Sequence, residues 1–274
     1  MKRSLVVSAF GALLVALSVG LPSLAQQASA PKSLVAPGKL TYGTAATFAP
    51  FEFQENGQLT GFDIEFGAAV AKAMGLAPSP LNMDFNGLIP ALQGKRIDVI
   101  NSAMYINAKR AEQVDFVPYM RIGNELVVRK GNPKNITGRG MDLCGKTAAV
   151  TLGGIEQTYA TEDAQKCTAA GKTAINIMTL PTAQDSALAV SSGRADVYYD
   201  STPGATKAVN ERPDAFQIAG PQFETKTQIG MAVRKGDADT KQAIERAIQV
   251  VVKDGTYDQL LKKYNLPLSG NIFK

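Results

Sequence analysis

The sequence contains no histidine and no tryptophan, and only two cysteines among 274 residues. Without an imidazole there is no Ser-His or Cys-His nucleophile pair, no histidine metal site and no side-chain proton shuttle tuned by nature to neutral pH. The carboxylates show no metal-ligand spacing, so neither a metal nor a cofactor is expected, and enzymatic function is disfavoured. Lysines and arginines are scattered along the chain rather than gathered into one stretch, which leaves no footprint for nucleic acid. The formal charge is +5, or +3 once Lys2 and Arg3 are set aside. Beyond the N-terminus no run is apolar enough to cross a membrane.

That N-terminus is the exception. Lys2 and Arg3 precede the uncharged run 4–25, which closes on Ser23-Leu24-Ala25, and a second small-residue triplet follows at 28–30. This is the pattern of a secretory signal cut after Ala25, with Ala30 the alternative, and it implies a soluble periplasmic protein. In an oxidising compartment the pair Cys144 and Cys167 is expected to form one bridge. Closing a loop of about two dozen residues is worth on the order of 3 kcal/mol.

What the chain does contain is an α/β series written twice. In the first copy, 39–44 reads as a strand and Asn56-Gly57 as a hairpin turn. A helix follows over 63–74 with Asp63 as its N-cap, then a strand at 77–83, a short helix at 86–93 and a buried strand at 97–102. The second copy reads as strand 146–150, helix 156–170, strand 174–180, helix 182–192 and strand 195–200. Tandem units of this kind imply two lobes with a cleft between them. The tail then carries a strand at 227–233 and a long amphipathic helix, with Asp239 and Gln242 as a capping box, and Gly255 separates it from a shorter helix. Since the second series is already complete, the tail is expected to pack back on the first lobe.

One motif is a decoy. Gly140 to Thr147, GMDLCGKT, satisfies the phosphate-loop pattern at every position. That loop works only between a strand and the start of a helix, where amides face the phosphates. Here a turn precedes it and the strand formers AAVTL follow.

The organising stretch is NSAMYINAKRAEQVDFVPY, residues 101–119, which places Arg110 just after a loop-like run that follows a strand end. Ligands on parallel sheets sit at the carboxyl ends of strands. A guanidinium is a planar, permanently charged fork suited to gripping a carboxylate through two hydrogen bonds. Phe48 and Phe85 are aromatics at strand ends that could cover a ligand side chain. Gly153 and Gly154 place backbone amides at a strand-to-helix turn, and Asp200 ends a strand as a candidate partner for an ammonium. Together these suit a small zwitterion.

The succession TFAPFEF, GFDIEF, MDFNGLIPALQGKRIDVI, the KR-to-VDFVPY block, SGRADVYYDSTP, IGMAVRKGD and DGTYDQLLKKYNL resembles the polar amino-acid binding proteins of ABC importers, solute-binding family 3. The resemblance runs from about residue 40 to 266. It implies a two-lobed periplasmic binding protein fold of type II, each lobe an α/β sheet flanked by helices. Lobe 1 would comprise 40–122 and 227–274, lobe 2 residues 123–226, after a signal peptide at 1–25. It further implies a monomer that closes on an amino acid and delivers it to a membrane permease. By residue, Arg110 matches the arginine that clamps the ligand carboxylate. Phe48 and Phe85 match the aromatic walls. Ser102 and Ala103 match the backbone facing the ammonium, and Tyr105, Gly154 and Ile155 match positions that help hold the carboxylate. Asp200 or Ser201 matches the second-lobe acid.

Several positions depart from the family pattern. Tyr105 stands in place of a usual threonine, Ala45 where members that take polar or cationic ligands have an acid, and Gly153-Gly154-Ile155 replaces Gly-Thr-Thr. These favour a neutral or polar ligand, or a close carboxylate analogue, over a cationic one. The alternative is a lyase on the same scaffold, like the cyclohexadienyl dehydratases, for which Glu52 or Asp200 would be the acid.

Overall fold

The computed structural model describes residues 28–274, so the expected signal segment 1–25 lies outside the described residues. Among the described residues, thirteen strands form two five-stranded sheets and one small antiparallel sheet, accompanied by eight α-helices. The first part of the chain gives β1 (Lys39–Thr44), β2 (Thr47–Phe48), β3 (Glu52–Glu55), β4 (Gln58–Thr60), α1 (Phe62–Ala73), β5 (Ala77–Asn82), α2 (Leu88–Gln93), β6 (Val99–Ile100), α3 (Ala108–Ala111) and β7 (Val114–Arg121). The middle part gives β8 (Asn124–Arg129), β9 (Thr147–Thr151), α4 (Ile155–Ala169), β10 (Asn176–Leu180), α5 (Ala183–Ser191), β11 (Val197–Ser201), α6 (Thr202–Glu211) and β12 (Phe216–Phe223). The chain ends with β13 (Gln228–Arg234), α7 (Ala238–Lys253) and α8 (Thr256–Lys263).

The two large sheets repeat one topology. Their orders are β5-β1-β6-β13-β7 and β10-β9-β11-β8-β12. In each, the second, first and third strands of an α/β series lie parallel, and the next strand, antiparallel to the third, has just arrived from the other sheet. The chain leaves the first sheet after Arg121 and re-enters it at Gln228, with Ile122 N–H donating to the Thr227 carbonyl (3.0 Å) to tie the two crossings together. The architecture is two-lobed, one five-stranded sheet to each lobe, with these two crossings joining them.

Local sequence explains most elements. Asn56 and Gly57 both take positive φ (51° and 76°), which a two-residue hairpin turn requires. Gly255 adopts φ 84° and separates α7 from α8. The tail packs back as expected: Tyr257 donates its hydroxyl to the Tyr119 carbonyl at 2.6 Å, and Lys263 pairs with Glu65 on α1 at 2.5 Å. An aromatic cluster of Phe62, Phe66, Tyr119 and Tyr257 fills the space between α1, β7 and α8, with ring centroids 5.1 to 6.1 Å apart. Cys144 and Cys167 are bonded, anchoring the turn before β9 to α4.

Three expectations need correction. Gly61, not Asp63, caps α1, and Asp63 is fully buried with tertiary partners. Asp237 caps α7 by accepting from Thr240 N–H at 3.1 Å, whereas Asp239 accepts from Lys32 N–H at 2.7 Å. Strand β7 replaces what had no expected regular structure at 114–121. Its Pro118 is tolerated because β7 is the edge strand, and the register slips beside it between Ile229 and Gly230.

Candidate functional site

The cleft is built at the carboxyl ends of β1, β6 and β9. Past β1, the Ala45 amide donates to Ser102 Oγ (2.9 Å), and the same hydroxyl donates to Glu52 Oε1 (2.9 Å). One serine thus fastens the ends of β1 and β6 to β3. The next residue, Ala103, has φ 38°, a left-handed conformation costly for a side chain with a Cβ. It is held there because its amide donates to Asp63 Oδ2 at 2.5 Å, while Tyr119 donates its hydroxyl to both oxygens of that carboxylate at 2.7 and 2.8 Å.

Burial pushes Asp63 up to about 6, with the Ala103 amide and Tyr119 hydroxyl working against it. Glu52, equally buried and beside Asp63, is driven well above the carboxylate range by burial and then by that neighbouring charge. Two adjacent interior carboxyls cannot both ionise cheaply, so Glu52 is the one that keeps its proton. Its Oε2 has no partner.

Arg110 lies on the single turn α3, capped by Asn107 Oδ1, which accepts from the Arg110 amide (2.9 Å). The residue is 9% exposed. It donates through Nη1 to the Tyr105 carbonyl (2.8 Å) and through Nη2 across the cleft to the Gly153 carbonyl (3.1 Å). Its Cζ sits 5.2 Å from the centroid of the Phe85 ring, within cation–π range. Burial lowers its pKa and Glu156 opposes that shift.

From the other lobe, Gly153 takes φ 76° at the β9–α4 turn. The Gly153 amide donates to Gln157 Oε1 (2.8 Å) and the Gly154 amide to the Thr151 carbonyl (3.1 Å). Both amides are therefore engaged inside the turn, not held open toward the cleft. Glu156, in the first turn of α4, is 5% exposed, and its Oε1 has no partner. Burial pushes it up to about 7 against the opposing pull of Arg110.

These groups enclose a cavity of about 40 Å³ walled by Phe48, Phe85, Tyr105, Arg110, Ile155 and the two glutamates, with Ala45, Thr47, Ser102, Ala103, Thr151 and Gly154 between them. Eight of the ten expected ligand residues meet on this wall. Asp200 and Ser201 do not. Asp200 is buried in the second lobe, its Oδ1 accepting from the Ser201 amide (2.7 Å), and its carboxylate is driven well above the carboxylate range by burial and by Glu156. Ser201 caps α6, its Oγ accepting from Gly204 N–H at 3.1 Å. Sequence reasoning missed Glu156, whose place in a helix's first turn reads as a solvent-facing acid that favours the dipole. The available signal was its position two residues after Gly154, at the same strand-to-helix turn.

The model of the bacterial extracellular solute-binding proteins, family 3, matches residues 40–267. The L-cystine-binding protein TcyJ of Escherichia coli strain K12 is 31% identical over 229 residues, which cover 83% of this chain and 82% of that protein. An ancestral arginine-binding protein solved with arginine is 36% identical with a TM-score of 0.76, covering 83% of this chain and 98% of that one. The ancestral amino-acid-binding protein AncCDT-1, described as a precursor of cyclohexadienyl dehydratase, is 32% identical with a TM-score of 0.72, covering 83% and 96%.

Proposed function

The chain belongs to the bacterial extracellular solute-binding proteins of family 3, and from that premise we propose that it is the periplasmic, monomeric receptor of an ABC importer. It captures an amino acid, or a close carboxylate analogue, by closing its two lobes and hands it to the membrane permease. The observation that carries this reading is Arg110, buried at the cleft with one hydrogen bond to each lobe. A ligand carboxylate entering there replaces two neutral carbonyl acceptors with an anion that the planar guanidinium can grip through two parallel hydrogen bonds. Closure then strengthens the pair by excluding water. Phe48 and Phe85 form the side-chain walls, while Ser102, Ala103, Tyr105, Gly154 and Ile155 shape the floor and the second-lobe face.

A neutral or polar side chain fits better than a cationic one. Ala45 supplies no charge to the wall, and Glu52 is kept neutral by burial and by the neighbouring Asp63. The two acids that the lyase reading calls on are poorly placed for it: Glu52 is tied to Ser102, and Asp200 lies off the cavity wall.

The test is a thermal-shift screen over the twenty protein amino acids and L-cystine. A ligand at a hundred times its Kd stabilises by about 2.7 kcal/mol, which raises Tm by several degrees in a chain of this size. Calorimetry then compares the best ligand on the native protein and on Arg110→Ala. The substitution strands a buried carboxylate and should cost about 3–5 kcal/mol, a loss of two or more orders of magnitude in affinity. Equal affinity for both proteins rejects the clamp.

A further inference from the structure

Among the described residues, Glu156 is the only charged side chain that the second lobe contributes to the cavity wall. It is 5% exposed with an unpartnered Oε1. Its other oxygen lies so close to Gly154 that a Cβ there would come within 2.5 Å of it. Arg110 faces it from α3, Tyr105 from the loop before α3, Tyr159 from its own helix and Asp200 from β11. Asp200 cannot serve in its place. Its Oδ1 takes the Ser201 amide, and the carboxylate rests against the backbone of Gly204, where an added Cβ would approach to 2.5 Å.

We propose that Glu156, rather than Asp200 or Ser201, is the second-lobe anion that receives the ligand's ammonium, and that Glu156 and Arg110 together select a zwitterion without net charge. This deepens the amino-acid reading above and rests on it. Arg110 supplies one positive charge and Glu156 one negative, while Glu52 stays neutral beside Asp63. A ligand bearing one carboxylate and one ammonium satisfies both groups. One with a second cationic group meets no second anion. Burial pushes the Glu156 carboxyl up to about 7, so near neutral pH it still carries part of a proton that an arriving cation can displace. Arrival of the ammonium favours the carboxylate and expels that proton.

The experiment takes the amino acid that gives the largest Tm shift in the panel and its des-amino analogue, the same acid with hydrogen in place of the ammonium. Each is titrated calorimetrically at pH 7.5 into native protein, Glu156→Gln, Glu156→Asp and Asp200→Asn. Native titrations at pH 7 in buffers of different ionisation enthalpy add a count of protons released. The expected result is a loss of about thirtyfold or more for the amino acid in Glu156→Gln, partial recovery in Glu156→Asp, and an unweakened des-amino ligand. Native protein should release about half a proton on binding near its midpoint, and Glu156→Gln should release none. Native affinity for the amino acid in Glu156→Gln overturns the proposal, as does a loss confined to Asp200→Asn. If no amino acid in the panel binds the native protein, the functional reading fails and this inference with it.

Discussion

Replacing Asp63 with alanine tests whether the cleft is held from behind. The carboxylate is fully buried and accepts from two donors, the Tyr119 hydroxyl shared across both its oxygens and the Ala103 amide. Removing it leaves two interior donors without partners. Each unsatisfied group costs about 1–3 kcal/mol, so the loss should be about 2–6 kcal/mol, a large share of a typical domain's stability. It also releases the left-handed Ala103, whose φ of 38° the Asp63 bond secures. Urea unfolding at pH 5, below the raised Asp63 value so that no cost of burying its charge offsets the loss, followed by circular dichroism should therefore show a midpoint lowered by about 0.7 M or more, given slopes of about 1–3 kcal/mol per M. Asp63→Asn keeps an acceptor and should lose roughly half as much. A midpoint for Asp63→Ala within about 0.3 M of the native value refutes the bracing role.

Two further outcomes follow from the interior charges and the crosslink. Asp63 and Glu156, pushed up to about 6 and about 7, bind protons more tightly folded than unfolded. The native state therefore carries more protons than the unfolded state from about pH 4 to 7, and stability should fall as pH rises through that window. Glu156→Gln should flatten the upper part of the decline, measured as Tm at pH 5 and pH 8; an unchanged slope contradicts the assignment. Replacing Cys144 and Cys167 by serine opens a loop spanning 23 positions and should cost about 3 kcal/mol, read as a lowered urea midpoint for the second lobe.

The duplicated α/β series was legible because each element carries local signals. Asn56-Gly57 marks the hairpin, Gly255 the break between the last two helices, and alternation of strand and helix patterns the sheets. Arg110 was legible through its place after a strand end. The errors lie where long-range contacts outweigh local chemistry. Asp63 looks like a cap, yet its partners Ala103 and Tyr119 stand 40 and 56 positions away. Pro118 conceals β7 because only the sheet order, which places β7 at an edge, makes that proline acceptable. Glu156 and Asp200 exchange the prominence that sequence suggests. Asp200 stands at a strand end but is turned into the lobe toward the Ser201 amide, whereas Glu156 looks solvated and is buried at the cleft.

The most direct measurement is a crystal structure of the protein with the amino acid that stabilises it most. The account predicts the ligand between the lobes with its carboxylate about 2.7–3.2 Å from the Arg110 guanidinium nitrogens. A ligand whose carboxylate lies away from Arg110, or one bound outside the cleft, contradicts it.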